Sequence, residues 1–102
     1  MQVTILLAPR DIMRDIYFNK DVAKLVEDNL FRYEKAYTFE FKPSAFDSDI
    51  EPAEEAFDLT NNPSRQDERV KTYGTKRSLS VGDVVDVDGK KLLCQPFGWL
   101  EL

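Results

Sequence analysis

A chain of 102 residues with 42% apolar side chains is long enough for one domain with a small core, stable by about 5–10 kcal/mol. Its formal charge of −5 disfavours general nucleic-acid binding, and its single cysteine, Cys94, excludes an intrachain disulfide and fits a reducing cytoplasm. It has no histidine, which removes Ser-His-Asp and Cys-His triads and most zinc sites.

No run approaches the apolar length of a membrane span, and the first residues lack a signal-peptide pattern. The charge is uneven. Residues 1–64 carry seven basic and thirteen acidic side chains, a net −6. Residues 65–77 carry five basic and two acidic ones, a net +3.

In chain order, residues 2–8 (QVTILLA) are rich in β-formers and almost continuously apolar, the pattern of a central strand ended by Pro9. Residues 10–17 fit either a helical turn or an irregular connection. Asn19 is placed to cap a helix over residues 20–28, with Val22, Leu25 and Val26 on its apolar face and Phe18 as a hydrophobic staple. Residues 36–42 alternate cleanly. Tyr37, Phe39 and Phe41 point one way and Thr38, Glu40 and Lys42 the other, as in a half-buried strand.

An acidic loop over residues 44–51 then leads to a short helix over residues 53–60, with Pro52 at its first position and Ala53, Ala56 and Phe57 facing inward. Residues 64–76 are polar and basic, and residues 62–76 are expected to form a mobile loop.

Residues 77–102 hold three of the four glycines, the only Cys and the only Trp. Residues 80–83 fit a β-turn with Gly82 at the position that wants positive φ. Asp88-Gly89 is a two-residue hairpin turn. It pairs Val85 with Leu92, Val84 with Leu93, and Asp86 with the opposite charge of Lys91. Pro96 and Gly98 bend the chain so that residues 99–102 return to the sheet. The whole reads as one α+β domain, a small mixed or antiparallel sheet of four to five strands with two short helices on one face, ending in a β-hairpin.

Chemistry-bearing motifs are few. Cys94 has no identifiable base and sits in a strand. Asp47, Asp49 and Glu51 resemble the start of a calcium loop, but Pro52 stands where the motif needs glycine. The residues around Gly74, Lys76 and Ser78 do not form a phosphate loop. No cofactor or metal site is expected. Phe97-Gly98-Trp99 is either the last plug of the core or an exposed anchor for a partner.

Arg77-Ser78-Leu79-Ser80-Val81-Gly82-Asp83-Val84-Val85, the short hairpin, the cysteine in its return strand and the closing Phe97-Gly98-Trp99 resemble the C-terminal signature of YodL-like proteins. Those are small proteins or modules of bacteria, phages, plasmids and conjugative elements. The resemblance covers residues 51–102 well and the first half loosely. The matching positions are Ser78, Ser80, Gly82, Asp83, Gly89, Gly98 and Trp99, all of which suit turns or core. The family brings no established activity, so no catalytic residue carries over.

The resemblance implies a non-enzymatic phage or mobile-element accessory protein in the host cytoplasm that binds a host or element-encoded protein and counters or redirects host machinery. The expected contact residues are Phe97, Trp99, Asp47, Asp49, Glu51 and Glu54. The alternative is a nucleic-acid-associated regulatory module using Arg65, Arg69, Lys71, Lys76 and Arg77. A third reading, an enzyme working with acidic residues alone, needs paired carboxylates in a deep pocket.

Overall fold

The computed structural model describes residues 1–42 and 50–102. Five strands form one antiparallel sheet in the order β2-β1-β3-β4-β5. They are β1 (Gln2–Leu7), β2 (Glu34–Glu40), β3 (Val84–Val87), β4 (Lys90–Cys94) and β5 (Trp99–Glu101). The helices are α1 (Arg10–Ile16), α2 (Val22–Asn29), α3 (Ile50–Asn61) and α4 (Gln66–Thr72). The α+β architecture and the closing hairpin follow the sequence reading, but the described residues form four α-helices rather than two, and these cover both faces of the sheet.

The two-faced burial explains the apolar run of β1. Val3, Ile5 and Leu7 face α3 together with Val85, Val87, Leu92 and Cys94, while Leu6 and Ala8 face α1 and α2 with Val84 and Leu93. A strand covered on both sides has no wet face to alternate with. On the first face Ala53 and Ala56 lie flat against the sheet, fully buried. On the second, Ile12, Ile16 and Val26 close the core. The short Ala side chains let α3 approach closely, so the sheet's larger residues fill the layer.

In β2 the alternation survives a register shift. Ile5 pairs with Tyr37 and Leu6 with Lys35, which leaves Ala36 as the extra residue of a β-bulge. Tyr37, Phe39 and Phe41 pack on the α3 face, as their spacing predicts.

The hairpin matches its predicted register, with Val85 opposite Leu92, Val84 opposite Leu93 and Asp86 opposite Lys91. Lys91 Nζ lies 2.7 Å from Asp86 Oδ2. Asp88 and Gly89 both take positive φ, the twist that the strands demand of a two-residue loop.

Several local expectations are corrected. Helix α3 begins at Ile50, so Pro52 is its third residue and not its first, and the rest of the loop expected over residues 44–51 lies outside the described residues. The helix predicted from Asn19 begins at Val22, and its cap is Asp21, whose side chain accepts from the Lys24 backbone N–H at 3.1 Å. Asn19 Oδ1 instead accepts from Asp21 N at 2.9 Å, holding the cap from outside the helix. Phe18 is therefore too far ahead of the cap to act as a staple, and it is 85% exposed.

Residues 64–76 are not an irregular loop. Asn62 caps a 3-10 turn (Pro63–Arg65) that runs into α4, whose first turn is acidic and last turn basic, as the helix dipole favours. Tyr73 closes this segment fully buried, with the Arg69 guanidinium and the Lys76 ammonium over its ring. The open question at residues 10–17 resolves as the helix α1.

Candidate functional site

The most specific sequence motif, residues 77–85, is an internal clasp. Asp83 is fully buried, and its carboxylate accepts four hydrogen bonds. Two come from the backbone N–H groups of Ala8 and Ser80, each at 2.8 Å. Two come from the Arg77 guanidinium at 2.6 and 2.8 Å. Arg77 also donates to the carbonyl of Ala8. The carboxylate thereby ties the exit of β1 to the turn before β3, and the bidentate geometry suits a guanidinium rather than an ammonium.

Asp83 N–H donates to Ser80 O at 3.0 Å, closing the predicted turn, and Gly82 has φ +96°. A Cβ on Gly82 would lie 2.1 Å from the Ile16 Cδ1, so that side chain would have to turn away, while the positive φ itself is what favours glycine. Tyr33 Oη donates to the Gly82 carbonyl at 2.7 Å, and burial with the Asp83 charge pushes its pKa up. The motif's other side meets α3. Ser78 Oγ donates to Thr60 O at 2.8 Å, Leu79 N donates to Thr60 Oγ1 at 3.1 Å, and Asn61 Nδ2 donates to Leu79 O at 2.9 Å.

The basic residues of the alternative reading are largely engaged inside the protein. Arg77 holds Asp83. Arg65 pairs with Glu55, Asp58 and Glu68, whose carboxylates raise its pKa further, Glu68 foremost. Arg69 donates to Lys76 O and Ser78 Oγ and covers Tyr73. Lys76 covers the same ring. Of the five, only Lys71 makes no internal polar contact among the described residues.

Of the residues expected to contact a partner, Trp99 and Glu54 meet, and Phe97 stands beside them. The β4–β5 turn projects Phe97, which is 96% exposed. The turn's base is fixed, with Gln95 N donating to Gly98 O at 3.0 Å. Trp99 is half-buried against the α3 face, and its Nε1 donates to Glu54 Oε1 at 3.0 Å. Between α3 and the hairpin lies a cleft of about 160 Å³ lined by Glu54, Phe57, Cys94, Gln95, Pro96, Gly98 and Trp99. Glu51, exposed one turn before Glu54 on α3, adds a second carboxylate outside the cleft. Asp47 and Asp49 lie outside the described residues.

Burial, helped by the charges of Asp83 and Glu54, pushes the Cys94 thiol up to about 11, so it stays protonated and weakly nucleophilic at neutral pH. Glu54 is the one carboxylate lining the cleft. Among the described residues, no group of three or more acidic or Cys side chains could hold a metal ion. Sequence reasoning missed Cys94, Phe57 and Gln95 as cleft walls. The inward position of Phe57 on α3 was the available signal, but the pairing of Trp99 with a residue 45 positions earlier left none.

A larger cleft of about 600 Å³ opens on the opposite face of the sheet, between Thr4, Lys35, Asp86 and Lys91 on its floor and Leu30, Phe31 and Tyr33 at its side. On its floor Asp86 pairs with Lys91, and Thr4 bonds Thr38 on the neighbouring strand. Comparison with protein-family models, with curated proteins and with solved structures found no match.

Proposed function

We propose that this chain is a non-enzymatic binding module that presents its β4–β5 corner to a protein partner. The carrying observation is Phe97, almost wholly exposed at the tip of a hairpin whose base is pinned beside the cleft. An isolated exposed phenylalanine is ordinary. One held rigidly next to a half-buried indole and a preformed cleft is an anchor whose burial on association is worth about 1.5–3 kcal/mol. Exposed Phe18 and Phe31 lack this setting, since neither flanks a tryptophan.

The partner's contacting surface is basic and partly apolar, because Glu54 lines the cleft, Glu51 and Glu101 flank it, and among the described residues no cation lines it. The YodL-like resemblance supports the wider setting, an accessory protein of a phage or mobile element acting on a host or element-encoded protein in the host cytoplasm. The internal use of Arg65, Arg69 and Arg77 supports a protein over a nucleic acid as the ligand.

The test begins with affinity capture from host lysate and identification by mass spectrometry, followed by calorimetry with the purified partner. Phe97→Ala is expected to weaken binding at least roughly tenfold, and Phe31→Ala less than about twofold. Equal effects of the two changes, or salt-sensitive DNA or RNA binding with no specific protein captured, overturn the proposal.

A further inference from the structure

β5 is an edge strand, hydrogen-bonded to β4 alone. Its pairs are Cys94 with Trp99, Leu93 with Leu100, and Leu92 with Glu101. The bonds that flank it, Gln95 N to Gly98 O and Leu102 N to Lys91 O, fix which residues face β4. In an antiparallel ladder the hydrogen-bonded pairs alternate. Gly98, Leu100 and Leu102 therefore turn their backbone groups inward. Trp99 and Glu101 turn theirs outward, where no described residue meets them.

The other edge strand, β2, is blunted. It carries the bulge at Ala36 and the charges of Glu34, Lys35 and Glu40, devices that discourage strand pairing. β5 has only its shortness and Glu101 to discourage it, and its open edge adjoins Phe97 and the cleft.

We infer that the partner binds by strand addition, an extended basic segment pairing with the outward backbone groups of Trp99 and Glu101. This rests on the corner being the contact site and specifies how it is used. Alternate side chains of the added strand lie on the α3 face beside Trp99 and Glu101, where lysine or arginine meets Glu101 and Glu54. A second copy of this chain fits the edge poorly. Pairing β5 with β5 brings the same acids together from two chains of charge −5.

The test uses an acetylated, amidated heptapeptide of alternating lysine and valine, with a glutamate–valine counterpart. Two further versions of the lysine peptide carry backbone N-methyl groups on its odd or its even residues. In a strand, N–H groups of one parity face the neighbour and those of the other face solvent, so one methylated version is expected to lose binding and the other to keep it. Binding should slow amide exchange at Trp99 and Glu101, weaken with salt, and be absent for the glutamate peptide.

Glu101→Pro removes an outward N–H without breaking a bond to β4, and is expected to weaken binding about three- to tenfold beyond Glu101→Gln, the worth of one backbone hydrogen bond, a native circular-dichroism spectrum showing that the proline's fixed φ has not disturbed β5. Equal binding of both methylated peptides, or unprotected Trp99 and Glu101 amides, overturns strand addition. The corner reading still stands in that case if Phe97→Ala weakens binding of the captured partner. No binding of the lysine peptide overturns the basic segment as occupant. So does concentration-dependent dimerisation that protects the same two amides without peptide.

Discussion

Replacing Asp83 by alanine removes the acceptor at the centre of the clasp. The Ala8 N–H, buried at the end of β1, loses its partner, which costs about 1–3 kcal/mol. The Ser80 N–H loses its acceptor with it, and the Arg77 guanidinium loses its counter-ion and keeps only its bonds to the Ala8 and Ser78 carbonyls. Breaking a wholly buried ion pair costs about 3–5 kcal/mol. Arg77 is 38% exposed, so water recovers part of its charge and its share falls below that figure. The combined loss is about 3–5 kcal/mol, a large part of the stability of a domain this size.

Thermal unfolding followed by circular dichroism should show Tm lower by about 12 °C or more. The comparison is Asp86→Ala, which breaks a partly exposed pair with Lys91 and the exposed hydrogen bond from the Gly89 N–H, and should cost about 1–2 kcal/mol. Arg77→Ala should be destabilising too, and the double variant less so than the sum, because both changes break one network. If Asp83→Ala costs no more than Asp86→Ala with a native spectrum, the clasp does not hold the fold and the reasoning fails.

Gly82→Ala should destabilise by about 1–2 kcal/mol from its left-handed backbone alone, with a further loss where its methyl meets Ile16. Truncating Ile16 in that background should restore part of the further loss, as a double-mutant cycle by urea unfolding would show. Cys94 has its folded pKa raised from 9.0 to about 11, so its contribution is complete below pH 9 and disappears as pH rises through 11. Stability measured across that window should fall more gently in Cys94→Val than in the parent. Asp58 and Glu68 have pKa values lowered by Arg65, so their contribution is present at neutral pH and lost as the medium becomes acidic enough to protonate them. Arg65→Met should flatten that acid limb in chemical denaturation, and an unchanged limb would mean that the hub adds nothing.

What the sequence made legible was mostly local grammar. Asp88-Gly89 dictated a turn, the turn dictated a register, and the charge match of Asp86 with Lys91 agreed with it. The alternation of residues 36–42 revealed the strand, although the bulge at Ala36 could not be read, because a bulge depends on the partner strand. The cap moved from Asn19 to Asp21 because both residues are good caps and only tertiary packing chooses between them.

Residues 63–73 were legible and passed over. Asn62-Pro63, followed by Asp67 and Glu68 and then Arg69 and Lys71, is a helix start and stop in the right order. The polar composition concealed it, since one buried side chain, Tyr73, anchors the end of the segment. The candidate site was half legible. Phe97 and Trp99 stand together in sequence, whereas Glu54 reaches them only through the docking of α3 on the sheet.

The central place of β1 also sets when the molecule can form. Residues 2–7 are hydrogen-bonded on one side to residues 34–40 and on the other to residues 84–87. The first strand made is thus finished by one of the last. The β1–β2 pair keeps an open apolar edge until β3 is made, and closing it brings together segments some eighty residues apart. Such long-range closure is slow compared with local hairpin formation. The bonds of Asp83 and Arg77 to Ala8 form only at that late step. Weakening them should raise the unfolding rate more than it lowers the folding rate, which makes the clasp a latch on the finished fold rather than a seed for it.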